Sequence, residues 1–206
     1  FIVHSSKDCG IDLNAKGINE NTALHVACMY GKTETVQLII QSSKDFGIDL
    51  NAKDNSGDTA WIEACLHGKT ETAQLIIQHS KDFDIDLNAK GRCGMTAMHE
   101  ACLCDKSETA QLIIKSSKDF GIDLNARDNR GWTAFAIACW GHNSWWPYTN
   151  TVKMMLKNWK EFGIDIKAPN NRGETILDII NHSNGRQEIK KMLGEEYYKM
   201  INVTES

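Results

Sequence analysis

The stretch Ile48–Gly68, IDLNAKDNSGDTAWIEACLHG, decides the fold. Asp54-Asn55-Ser56-Gly57 is a run of turn formers. Thr59 follows it, placed to cap a helix. Ala60, Trp61, Ala64 and Cys65 then fall at i, i+1, i+4 and i+5, which gives one apolar helical stripe. Gly68 ends that helix, and a second begins near Lys69-Thr70-Glu71. There Ala73, Ile76 and Ile77 share one face, and the polar run His79-Ser80-Lys81-Asp82 closes it. The preceding IDLNA and its turn read as an extended finger rather than a third helix.

Outward from this stretch the chain repeats itself. IDLNA occurs at Ile11–Ala15, Ile48–Ala52, Ile85–Ala89 and Ile122–Ala126, a period of 37, and an altered copy, IDIKA, lies at Ile164–Ala168. Asp165 follows Asp123 by 42 positions, so the fourth unit carries five extra residues. Thr22, Thr59, Thr96 and Thr133 each precede an alanine in register, and Thr175 continues the series. A period of this length over most of a chain means a solenoid.

Composition sets the outer limits. The 206 residues carry 23 Lys+Arg against 27 Asp+Glu, a net charge of −4, which argues against nucleic acid as the main partner. No apolar run reaches the ~18 residues that span a bilayer, so no membrane insertion is expected. The chain starts Phe-Ile-Val, without a visible signal peptide. We expect a fragment or processed form that extends further toward its N-terminus.

The residues also resemble a family. TALHVA at Thr22–Ala27 and TAMHEA at Thr96–Ala101 are similar to the ankyrin signature T-P-L-H-x-A, and IDLNAKDNSGDTA at Ile48–Ala60 is similar to its inter-repeat junction. The resemblance implies an all-α helix-turn-helix repeat solenoid with β-hairpin-like fingers. It implies one repeat domain over 1–206: a partial repeat at 1–16, full repeats at 17–53, 54–90 and 91–127, a repeat with the five-residue insertion at 128–169, and a cap at 170–206. The usual ankyrin period is ~33. The four extra residues fit at Ser42–Phe46 and its equivalents, where they lengthen the second helix or its exit loop. Ala23, Ala60, Ala97 and Ala134 stand where the signature has proline, and alanine keeps the helix. The signature histidine is kept at His25 and His99 but replaced by Ile62 and Ala136, which weakens the ties between repeats there. In this family that histidine is a structural hydrogen-bonding group.

Several residue types recur in register. Cys28, Cys65, Cys102 and Cys139 lie on the buried stripe. Stacked helices sit ~8–10 Å apart, too far for the ~7 Å that a disulfide allows. Buried free thiols are therefore expected, and with them a reducing, intracellular, cytoplasmic setting. No metal-ligand spacing, phosphate loop or nucleophile constellation appears, so no enzyme, metal or cofactor is expected. The Asp and Lys ladders read mostly as solvated surface. Asn14, Asn51, Asn88 and Asn125 read as turn residues bonding nearby backbone. The family resemblance adds that such finger asparagines are hydroxylated in some members.

Binding is expected where the repeats differ, on the concave face of fingers and first helices, in a monomer that presents it to a protein partner. The positions before the capping threonine read Asn21, Asp58, Met95 and Trp132. The mid-helix positions include Glu63 and Glu100, neighbours on the groove wall that suit a basic group. In the fourth repeat the insertion falls within Trp140–Asn150 and brings Trp140, Trp145, Trp146 and Tyr148. That aromatic stretch either binds a partner or packs back as a cap. Trp61 and Phe135 fill the signature leucine position and are expected in the core. The remaining classes are a hydroxylase substrate and a structural spacer.

Overall fold

The computed structural model describes residues 12–140, 149–181 and 189–195. Helices come in antiparallel pairs. They are α1 (Ala23–Met29) with α2 (Thr33–Phe46), α3 (Ala60–Leu66) with α4 (Thr70–His79), α5 (Ala97–Leu103) with α6 (Ser107–Phe120), and α7 (Ala134–Trp140) with α8 (Thr149–Phe162). Then α9 (Ile176–Asn181) opens the fifth unit, and 189–195 are again helical. First helices pack on first helices and second on second along the stack. One continuous core runs through it, as a solenoid requires.

Each first helix starts where its threonine caps it. Thr59 accepts from Ile62 N–H, and Thr133 from Ala136 N–H. In α1 and α5 the histidine joins the cap. His25 Nδ1 accepts from Thr22 N–H, and His99 Nδ1 from Thr96 N–H. Their Nε2 atoms lie 3.1 Å and 3.0 Å from the carbonyls of Asp58 and Trp132, one repeat further on. A carbonyl only accepts, so Nε2 carries the proton, and burial keeps both rings neutral by lowering their pKa. Repeat two lacks this histidine, and its buried Trp61 indole donates to Leu87 C=O at the end of the same unit, at 3.1 Å. Phe135, also buried, fills the same place in repeat four.

The four extra residues per unit extend α2 and α6 to 14 residues, each closed by a left-handed glycine, Gly47 and Gly121. Repeat two has Asp84 at that position, also at positive φ; there α4 stops after 10 residues and turns follow. The extra segment thus lengthens the helix in repeats one and three and the exit loop in repeat two. The connection between paired helices spans three residues in repeats one to three (30–32, 67–69, 104–106). The five-residue insertion of repeat four falls at 141–148, outside the described residues.

The Asp and Lys ladders are exposed, as expected, but the asparagine ladder stitches repeats together, which corrects its reading as a local turn. Asn14, Asn51, Asn88 and Asn125 do not bond their own turns. Each side-chain amide donates to a carbonyl of the next repeat (Gly47, Asp84, Gly121, Gly163) and its Oδ1 accepts the N–H of the next ladder aspartate, at 2.7–2.9 Å. The local turn belongs to Asp12, Asp49, Asp86 and Asp123, whose carboxylates accept the asparagine N–H. Lys16, Lys53 and Lys90 each donate to the carbonyl 37 residues on. Lys44, Lys81 and Lys118 lie 5.0–5.2 Å from the ring centres of Phe83, Phe120 and Phe162, a cation–π row. Cys28, Cys65, Cys102 and Cys139 are buried free thiols. Burial raises the pKa of the first three, so they remain protonated.

Candidate protein-binding surface

The fingers come in two kinds. In repeats two and four an aspartate builds the turn. Asp54 Oδ1 accepts from Ser56 and Asp58 N–H, and Asp128 Oδ1 from Arg130 and Trp132 N–H. These fingers close with antiparallel bridges, Lys53 to Thr59 and Arg127 to Thr133. Repeats one and three have Gly17 and Gly91 instead, and their fingers carry short 3-10 turns, Ile18–Glu20 and Arg92–Gly94. Neighbouring fingers bond backbone to backbone: Asn55 N–H to Asn19 C=O, Asn129 N–H to Cys93 C=O, and Asn171 N–H to Arg130 C=O. Between repeats two and three a side chain takes that part, with Arg92 N–H donating to Asp58 Oδ1 at 2.9 Å.

Four of the expected contact residues are therefore not free. Asp58 is buried beneath the third finger; a Cβ at Gly91 would fall on its Oδ1. Met95, one repeat further on, is buried as well. Glu63 is 5 % exposed and Glu100 0 %, so neither lies open on a groove wall. The enclosure does not extend to repeat one: Val26, at the same helical position there, is 44 % exposed. His67 Nε2 is 3.3 Å from Glu63 Oε2, and Arg92 Nη2 is 3.9 Å from Glu100 Oε1. Glu63 Oε2 and both Glu100 oxygens make no hydrogen bond. Burial, reinforced by Asp54, Asp58 and Glu100, pushes the Glu63 carboxyl up to about 7. Burial also raises Glu100, against the pull of Arg92.

The aromatic residues fare differently. Trp132 is half-buried against the core, and Trp140 is 48 % exposed at the end of α7. Together with Ala136, Ile137 and Ile179 they line a cleft of about 370 Å³ between repeat four and the fifth unit, and Arg130, Arg172 and Glu174 stand at it. The Arg130 side chain is 68 % exposed and pairs with Asp128 at 3.2 Å. Trp145, Trp146 and Tyr148 lie outside the described residues. The variable positions Arg130, Trp132, Ile137 and Trp140 mark this wall of the cleft in the sequence. Its far wall, from Asn170 to Ile179, went unnoticed because the fifth unit departs from the repeat pattern.

A second exposed apolar group sits at the other end of the stack, at Ile18, Val26 and Tyr30. No described helix is long and apolar enough to cross a membrane.

Paired helices, alternating fingers and cross-repeat stitches define a helix-turn-helix repeat solenoid. Comparison with protein families agrees. The description "Ankyrin repeats (3 copies)" matches residues 1–90, and "Ankyrin repeats (many copies)" matches residues 79–138. The chain belongs to the ankyrin-repeat family. Comparison with the curated proteins finds no match. Ankyrin repeats are generally protein–protein interaction modules and typically not enzymes.

Proposed function

We propose that this chain is a protein-recognition module whose contact surface centres on the cleft between repeat four and the fifth unit. The observation that carries the reading is the half-exposed Trp140 at a partly enclosed cleft shared with the half-buried Trp132. Aromatic side chains in a partly enclosed recess are the common anchors of protein interfaces. Arg130 and Arg172 beside an apolar floor suit a partner segment that offers an apolar side chain next to an acidic one. The stack supplies rigidity, so little ordering entropy is lost on binding. The chain acts as a monomer that presents this surface to its partner inside the cell.

The test is affinity capture with the wild-type chain, Trp140→Ala and Trp145→Ala/Trp146→Ala, after circular dichroism shows equal folding. Loss of one partner from Trp140→Ala, at least tenfold, supports the cleft. Loss only from the double variant moves recognition to the inserted loop. Retention by both moves it to Ile18, Val26 and Tyr30. Absence of any saturable partner favours a spacer. Hydroxylation of Asn14, Asn51, Asn88 or Asn125 has no observation of its own in its favour: each amide is already committed at both atoms. Intact mass would reveal it, as one added oxygen per site.

A further inference from the structure

The junction of repeats two and three holds more negative charge than the protein neutralises. Asp54, Asp58 and Glu63 each offer a carboxylate oxygen, and these atoms all lie within 4.8 Å of one another. Two metal–oxygen bonds of ~2.4 Å can bridge such a span. Glu63 is 5 % exposed and contributes one carboxylate oxygen to this group; its Oε2 makes no hydrogen bond and lies 3.3 Å from His67 Nε2. Burying a carboxylate in that condition is costly. Asp54 and Asp58 use Oδ1 for backbone N–H groups, and neither makes a hydrogen bond through Oδ2 among the described residues.

The equivalent turn in repeat four shows what is missing. Asp128 sits in register with Asp54, but its Oδ2 is paired with Arg130, and Trp132 and Ile137 replace the other two acids. In repeat two the position of Arg130 is Ser56. The nearby cation is Arg92, which lies 3.9 Å from Glu100. His67, its side chain 41 % exposed, lies with Nε2 3.3 Å from Glu63 Oε2. The donors are all carboxylate oxygens, which select a hard cation.

We propose that Asp54, Asp58 and Glu63 form a divalent-cation site that takes calcium and clamps repeat two onto the finger of repeat three. Water completes the shell, because three carboxylates supply fewer than the six to eight oxygens calcium takes.

The experiment titrates chelator-treated protein with calcium chloride at about pH 7.5 by calorimetry and follows thermal unfolding in parallel. The expected result is one calcium per chain and a Tm that climbs with calcium concentration. Glu63→Gln and Asp58→Asn, which keep shape and the Arg92 contact, each weaken binding at least tenfold while circular dichroism stays unchanged. Glu34→Gln, an exposed acid on α2, leaves binding intact. Absence of heat and of a Tm shift at millimolar calcium overturns the proposal and assigns the charge relief to protons. Equal binding by wild type and Glu63→Gln overturns it as well. Tighter binding of magnesium than of calcium overturns the calcium assignment.

Discussion

Repeats two and four start from the same turn and end in different chemistry. Asp54 and Asp128 hold their fingers in the same way, through two backbone N–H groups. Past that point repeat two places Asp58 and Glu63 where repeat four places Trp132 and Ile137. Repeat two thus seals acids inside a tight junction, while repeat four lines an open cleft with aromatic and aliphatic groups. The framework residues dictate the stack. The two variable positions decide whether a junction becomes an interior site or a surface for a partner.

The comparison can be broken first at its core. Trp61 and Phe135 occupy one position, but only Trp61 has an N–H, which donates to Leu87 C=O. Trp61→Ala is expected to cost about 3–5 kcal/mol in urea unfolding. Trp61→Phe, which imitates repeat four, should cost only about 1–2 kcal/mol. Equal losses would show that the indole N–H does nothing.

The next effect concerns Glu63. Its folded pKa, about 7, lies above the model-peptide value of 4.5, so the native state holds its proton more tightly. The resulting stability is present below about pH 4.5 and is lost as pH rises through about 7. Without calcium, Glu63→Gln should therefore be more stable than wild type at pH 8, by on the order of 1–3 kcal/mol, and nearly equal to it at about pH 4.5. The same gap at both values would contradict the buried-acid reading. His25 and His99 act with the opposite sign. Burial lowers their pKa, so their contribution is full above about 6.5 and is lost as pH falls below it.

A smaller change tests what both repeats share. Asn88→Ala removes two bonds to the third repeat and should cost about 1–2 kcal/mol, with hydrogen exchange rising first around Gly121 and Asp123. The smallest stability effect is expected at Arg130→Ala. Its ion pair is exposed and is worth at most about 1 kcal/mol. Its effect on partner capture should exceed its effect on unfolding.

Much of this was legible before any coordinates. The period, the threonine caps and the inward cysteines follow from spacing, because each repeat imposes the same demand at the same position. The core roles of Trp61 and Phe135 follow in the same way. Burial at Asp58, Glu63, Met95 and Glu100 was not legible. It depends on how closely the next finger descends, and charged residues at a mid-helix position read as a solvated wall. The asparagine ladder misled for a related reason. Asp and Asn two residues apart have similar turn chemistry, and only the stack shows that the aspartate takes the local bond and the asparagine the distant one.

The most direct test of the recognition reading is a hydrogen-exchange footprint of the chain with its captured partner. Slowed exchange across residues 130–140 and 170–179, with little change at 18–30, is the predicted result. Protection confined to 18–30, with the repeat-four cleft unchanged, would contradict it.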